Sequence, residues 1–211
     1  MGAEALSKRL NWQTISGKNA KRKELLVKDA LQDCLRHEGD YKVIYQPQDF
    51  ASIYSDKIYP DGLPDVILDN IYRPKEPSNG FKWGFVPDYA IENRRTGKKI
   101  FIELKTQNGW VEGGKPADGR GNVHERACKH FTPGITKLER KVSGINDINF
   151  KPFIIIFTGN ITLDPRRNSE IYFWFQGYED NYFMWRPDPD GMYPIKTLFN
   201  YIKYKVLPHL S

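Results

Sequence analysis

Apolar residues along the chain change period several times, and each change marks an element. From Leu25 to Leu35, Leu26, Ala30, Leu31, Cys34 and Leu35 recur at helical spacing, and His37-Glu38-Gly39-Asp40 closes that helix. Lys42-Val43-Ile44-Tyr45 reads as a short strand. Tyr59 to Gly80, rich in Pro, Gly, Asp and Asn, reads as a long surface excursion with one short apolar element at Val66-Ile67-Leu68. Phe85 to Ile91 and Ile100 to Lys105 are strand patterns separated by the turn Asn93-Arg94-Arg95-Thr96-Gly97, which predicts a hairpin. Strand side chains alternate between faces. Ile100, Ile102 and Leu104 therefore point one way, and Phe101, Glu103 and Lys105 the other.

Asn108 to Gly121 is glycine-rich and polar and reads as a loop. Val123, Ala127 and Phe131 fall at i, i+4 and i+8, which predicts a helix from Asn122 to Phe131 that Pro133-Gly134 ends. A second helix is expected from Ile135 to Val142. Phe153 to Phe157 is a continuous apolar run with β-branched residues, the pattern of a strand buried on both faces. Asp164-Pro165 reads as an N-cap followed by proline at the first helical position, opening a helix toward Phe175. Tyr182 to Trp185 is a short strand, and Ile195, Leu198, Phe199, Ile202 and Val206 form an amphipathic C-terminal helix. Strands and helices interleave, so the expected class is α/β, a central mixed β-sheet flanked by helices, in one domain over residues 1–211.

Composition narrows the class. The chain has 211 residues, 39% of them hydrophobic, enough for a real core. Its formal net charge is +6, which fits either a plainly solvated basic surface or a polyanion partner. The two cysteines, Cys34 and Cys128, are too few for a disulfide framework and suit a reducing compartment. Met1 to Trp12 lacks the apolar core of a signal peptide, no apolar run approaches membrane-spanning length, and Leu6 breaks the myristoylation pattern after Gly2. The expected location is the cytoplasm, with no membrane partner.

Candidate chemistry centres on Pro87-Asp88 and Glu103-Leu104-Lys105. The chain holds five Pro-Asp pairs, at Asp61, Asp65, Asp88, Asp188 and Asp190, and most must serve turns. It holds three acid-x-Lys patterns, at Asp40, Glu103 and Glu139; the first reads as the start of a strand and the third as a helix surface. Only Asp88 and Glu103 lie on strands that a single turn brings side by side. Two carboxylates and the Leu104 main-chain carbonyl form a hard-oxygen set that suits Mg²⁺, which keeps several waters. Lys105 shares the Glu103 face, where a compact cation can orient a water and stabilise charge developing on a phosphate. The plain alternative is a solvated hairpin face with an ordinary Glu–Lys pair.

Two further readings compete for residues 120–130. His124 and Cys128, at i and i+4 in His124-Glu125-Arg126-Ala127-Cys128, could reach a Zn²⁺ with His130, a near miss to a zinc-peptidase motif. The plainer reading is a helix with Cys128 buried and His124 exposed. Alternatively, Arg120, Asn122, Glu125, Arg126 and Lys129 place base-reading donors and acceptors around a helix start, with Gly121 allowing close approach of backbone to bases. A capped, charged surface helix would look similar.

Gly121-Asn122-Val123-His124-Glu125-Arg126-Ala127-Cys128-Lys129 resembles the DNA-reading stretch shared by the EcoRI and MunI restriction endonucleases. Likeness to the MunI group extends, in order, through Leu10-Asn11-Trp12-Gln13, Pro87-Asp88-Tyr89-Ala90-Ile91-Glu92-Asn93, Gly109-Trp110-Val111-Glu112-Gly113, Phe131-Thr132-Pro133-Gly134, Gly144-Ile145-Asn146-Asp147 and Asp180 to Pro187. The resemblance implies a type II restriction endonuclease of the PD-(D/E)xK superfamily, a homodimer that cuts double-stranded DNA at a palindrome with Mg²⁺. It implies Asp88 and Glu103 as metal ligands and Lys105 as the catalytic lysine. Asn122, Glu125 and Arg126 fall on positions that read an inner AATT, and Arg120 on the position that reads an outer C·G pair. The implied site is CAATTG, cut after the first C to leave a four-base 5′ overhang; GAATTC is less favoured, because EcoRI lacks that arginine here. Val123 departs from the alanine of both relatives, and its two extra methyl groups bear on recognition geometry. A companion adenine methyltransferase is the expected functional partner. The other readings are a sequence-specific DNA-binding protein that does not cut, and a zinc peptidase.

Overall fold

The computed structural model describes residues 21–53, 64–71, 84–115 and 122–211. Within them a five-stranded sheet runs in the order β1 (Tyr41–Tyr45), β2 (Tyr89–Asn93), β3 (Lys99–Thr106), β4 (Phe153–Thr158), β5 (Tyr182–Met184). The first three strands form antiparallel pairs, and β3–β4 and β4–β5 are parallel. Parallel neighbours need long crossovers. Helices α3 (Val123–Ala127) and α4 (Pro133–Ser143) lie in the first, and α5 (Pro165–Trp174) in the second.

Two hydrophobic layers sandwich the sheet. Ile100, Ile102 and Leu104 of β3 join Ile154 and Ile156 of β4 under Val27, Ala30 and Leu31 of α1 (residues 21–35) and Leu198 of α6 (Ile195–Tyr201). On the other face Phe101, Phe153, Ile155 and Phe157 pack with Ala127, Ile171 and Phe175. The period-two alternation of β3 is thus realised. The run Phe153–Thr158 is buried throughout because both faces are covered. Each isoleucine so enclosed is stabilising by about 1.5–3 kcal/mol relative to exposure. The α/β class and mixed sheet follow the pattern of the sequence.

Several boundaries differ from the pattern, each for a local reason. The expected strand from Phe85 begins only at Tyr89, because the Phe85 N–H bonds to the Phe50 carbonyl at 3.1 Å and Pro87 has no N–H to give a ladder. Gly84 is needed there: a Cβ on it would lie 1.9 Å from the Phe50 oxygen. Leu26, expected in the core, is 42% exposed, and Val27 takes the inward position. The helix after Asn122 tightens at Cys128 into a 3₁₀ turn through Phe131. Pro133 does not merely end it; it occupies the first turn of α4, where its missing N–H costs nothing. Gly144, at φ 70°, stops α4 in the left-handed region. The C-terminal helix loosens after Tyr201 into a π turn and then a 3₁₀ turn. Of the excursion from Tyr59 to Gly80, the described part is the short helix α2 (Asp65–Ile71), with Val66 and Ile67 exposed.

Candidate active site

The site forms where β3 outruns β2. The antiparallel register ends with Tyr89 opposite Ile102, so residues 103–106 have no β2 partner, while β4 continues beside them to Thr158. Asp88, just before β2, fills that gap. Its Oδ2 accepts the Leu104 N–H at 2.7 Å, and its own carbonyl accepts the Gln46 N–H at 2.9 Å. Within a strand the N–H and C=O of one residue point to the same side. The Leu104 carbonyl is therefore directed toward Asp88, while its side chain points into the core. Glu103 and Lys105 project together from the opposite face of β3, and Lys105 Nζ donates to Glu103 Oε1 at 2.5 Å. Both side chains are less than one-fifth exposed.

Electrostatics marks this gap as short of positive charge. The Asp88 carboxyl is pushed up to about 7, first by burial and then by the neighbouring Glu103; the Leu104 N–H and Lys105 oppose the rise only in part. A divalent cation between the two carboxylates and the Leu104 carbonyl would remove that deficit. Among the described residues no group of three or more His, Cys, Asp or Glu side chains could hold a metal. Two carboxylates and a main-chain oxygen, with water completing the shell, is the donor set that Mg²⁺ accepts.

Several of the other copies of these motifs serve structure. Asp65 opens α2, Asp188 caps a turn by accepting the Met192 N–H at 2.8 Å, and Asp61 lies outside the described residues. Asp40 pairs with Arg95, and Lys42 with Glu92, each at 2.7 Å. The expectation that Glu139 lies on a helix surface is wrong. It is fully buried and bonds Lys151 at 2.5 Å, while Lys151 also donates to Thr136. Glu139 points across α4 at the start of β4, which a linear spacing argument cannot see.

The second constellation is rearranged as well. His124 is fully buried and Cys128 partly exposed, the reverse of the plain sequence reading. The His124 ring lies flat on Trp174 of α5, centroids 4.8 Å apart, and its Nε2 is 3.0 Å from Glu170. Cys128 Sγ turns instead to the His124 carbonyl, so no zinc site is assembled among the described residues. Asn122 makes no cap to the α3 backbone; its amide donates to Glu125 at 2.7 Å. Asn122, Glu125, Arg126 and Lys129 are all exposed on one side of this segment, with Val123 partly buried. The Lys129 ammonium lies 5.5 Å from the Phe85 ring centre. Arg120 and Gly121 lie outside the described residues.

Sequence reading missed the partners that brace these groups. Asp164 was legible as an N-cap, and one of its oxygens accepts the Arg166 and Arg167 N–H groups. Its other oxygen accepts the N–H of Val111 and of Glu112, pinning the loop that leaves β3. No spacing along the chain announces that second role, nor the meeting of Glu170 and Trp174 with His124.

A mixed sheet in which one strand stops short beside two carboxylates and a lysine is the arrangement of a class of nucleases that hydrolyse phosphodiester bonds. Comparison with known proteins agrees and goes further. The family described as type II restriction enzyme MunI matches residues 1–210. The type II restriction enzyme MunI of a Mycoplasma species is 44% identical over 192 residues, spanning 90% of this chain and 92% of that protein. The crystal structure of MunI restriction endonuclease in complex with cognate DNA superposes with a TM-score of 0.68 at 39% identity, covering 95% of this chain and 98% of the other. The chain belongs to the MunI family of type II restriction enzymes, site-specific endonucleases that cut DNA.

Proposed function

We propose that this enzyme cuts double-stranded DNA at CAATTG after the first C, as a homodimer dependent on Mg²⁺, leaving four-base 5′ overhangs. The observation that carries the chemistry is the hydrogen bond from the Leu104 N–H to Asp88, which sets one carboxylate beside the strand bearing Glu103 and Lys105. In this reading Asp88, Glu103 and the Leu104 carbonyl hold the ion. Bound there, Mg²⁺ would polarise the scissile phosphate and lower the pKa of a coordinated water. Lys105 leaves Glu103 to orient the attacking water and to meet the negative charge growing on the phosphate. Asp88, raised by burial and by Glu103, would be drawn toward its ionised form by a bound cation.

Sequence readout falls to the segment around α3. Asn122, Glu125 and Arg126 address the inner AATT, Arg120 the outer C·G pair, and Lys129 the phosphates. Gly121 allows close backbone approach, and Val123 sits against the groove. Bidentate pairing suits these side-chain types, at about 1–3 kcal/mol of discrimination per contact. The MunI relative was crystallised on cognate DNA, and the matching fold supports the same class of partner here. A palindrome requires a second copy, because one subunit reads a half-site and cuts one strand. Such an enzyme works in the cytoplasm beside an adenine methyltransferase that shields the host's own sites.

The deciding experiment uses plasmids with a single CAATTG or a single GAATTC site, with and without Mg²⁺. The expected result is linear product from the first plasmid only, with metal only, with ends mapped after the first C. Cutting of the GAATTC plasmid, or cutting in chelator, refutes the corresponding part. Arg120→Ala is expected to relax the outer base pair alone.

A further inference from the structure

Helix α3 spans five residues, Val123–Ala127, too few to hold themselves in a helix in water. Its N-cap residue contributes no side-chain bond to the helix backbone, since the Asn122 amide is turned to Glu125. The orientation of α3 must therefore come from its packing and from the 3₁₀ turn that continues it: His124 and Ala127 are fully buried, and Val123 is partly buried against the layer that holds Ala127. Ala127 offers packing without direction. His124 offers direction: Nε2 lies 3.0 Å from Glu170 Oε2, and the ring is held parallel to Trp174 within 8°. Glu170 is itself fixed, by Arg166 at 3.1 Å and Arg167 at 2.5 Å. Arg167 also reaches His124 Nε2 at 3.2 Å. Two donors cannot share that axis, so the consistent arrangement is a neutral imidazole whose Nε2–H donates to Glu170 while Arg167 binds the same carboxylate. Burial first and Arg167 second hold His124 below its usual value, against the pull of Glu170, which agrees with the neutral form. His124 Nδ1, buried with no partner among the described residues, is then a bare acceptor rather than a stranded donor.

We propose that Glu170 of α5 is a positioning residue for DNA sequence readout, acting through the His124 Nε2–H to set the rotation of α3 and thereby aim Asn122, Glu125 and Arg126 at base edges. This rests on the reading that α3 faces the bases. His124 shares this short segment with Asn122, Glu125 and Arg126, so a shift of the backbone that its side chain anchors moves the reading residues with it. Hydrogen bonds to base edges tolerate only small displacement, and an error of about 1 Å can cost two orders of magnitude in rate. The phosphodiester chemistry at Asp88 lies on other elements, so a fault in the clamp degrades discrimination before it degrades cutting.

The test compares Glu170→Met, which keeps the size but removes the acceptor, with Glu170→Gln, which keeps an acceptor. The readout is the ratio of single-turnover rates on the cognate hexamer and on a site with one inner base pair changed. Glu170→Met is expected to lower that ratio at least about tenfold, and Glu170→Gln to hold it within about threefold. An unchanged ratio in Glu170→Met overturns the proposal, and so does an equal loss in both variants. If Glu170→Met does not fold, His124→Leu against His124→Gln makes the same comparison from the other partner and is read the same way. Glu125→Ala run alongside separates the two ideas: if it leaves the ratio intact, α3 does not read the bases at all, whatever Glu170 does.

Discussion

Asp88 Oδ2 accepts the Leu104 N–H at 2.7 Å, and this one bond both closes a gap in the sheet and sets Asp88 beside the strand that carries Glu103 and Lys105. A strand that outruns its neighbour leaves main-chain donors unpaired. Here a side chain takes the place of the missing strand and is half-buried by doing so. The same burial, with Glu103 nearby, drives its carboxyl up to about 7. The protein thus accepts a destabilised acid in the residue proposed to hold the cation, in keeping with the cost that functional sites impose on stability.

Asp88→Asn should abolish cutting and yet raise the melting temperature of the metal-free protein at pH 8. The sign follows from linkage. The folded chain keeps Asp88 protonated up to about 7, whereas the unfolded chain releases the proton near the ordinary aspartate value of 3.8, so stability falls as pH rises between the two. The gain from asparagine should therefore be present at pH 8 and absent near pH 4. Melting curves in chelator at both values check this; a lower melting temperature for the variant at pH 8 contradicts it.

Lys105→Met should cut at least about 10²-fold more slowly on the cognate site, the scale on which single donors to a developing charge act. DNA binding should persist, because Lys105 is paired with Glu103 rather than placed in the exposed segment around α3. Gel shift and single-turnover cleavage on one duplex measure both. Wild-type cutting by Lys105→Met would remove the lysine from the mechanism.

Lys151→Met should cost about 3–5 kcal/mol, because it strands Glu139, fully buried and already pushed up to about 7 by burial. Replacing both partners, as Glu139→Leu with Lys151→Met, should cost much less than that single change. Chemical denaturation of the two single variants and the double measures the coupling. Additive losses would mean that the pair is not interacting.

Asp164→Ala should destabilise by about 1–3 kcal/mol, since it removes the cap of α5 and leaves the Val111 and Glu112 N–H groups without their acceptor. Asp164→Asn should recover much of the loss. If both variants melt with the wild type, the capping carboxylate contributes nothing and the two segments are held by packing alone.

Much of this fold is written locally. The helical spacing before Leu35, the alternation of β3, the apolar run of β4 and the cap at Asp164 each follow from a period or a residue type, and each appears where its period places it. Those patterns also put Glu103 and Lys105 on one face before any tertiary contact is known. Tertiary structure decided the rest. Spacing fixes which side of its own element a residue faces, but not what covers that side. Hence Glu139 and His124, read as surface residues, are buried, and Cys128 is not. Asp88 was one of five Pro-Asp pairs until the register of β2 on β3 ended at Tyr89 and left Leu104 for it to bind. Composition and period determined the elements; register and the neighbours that each face meets determined which residues became a site.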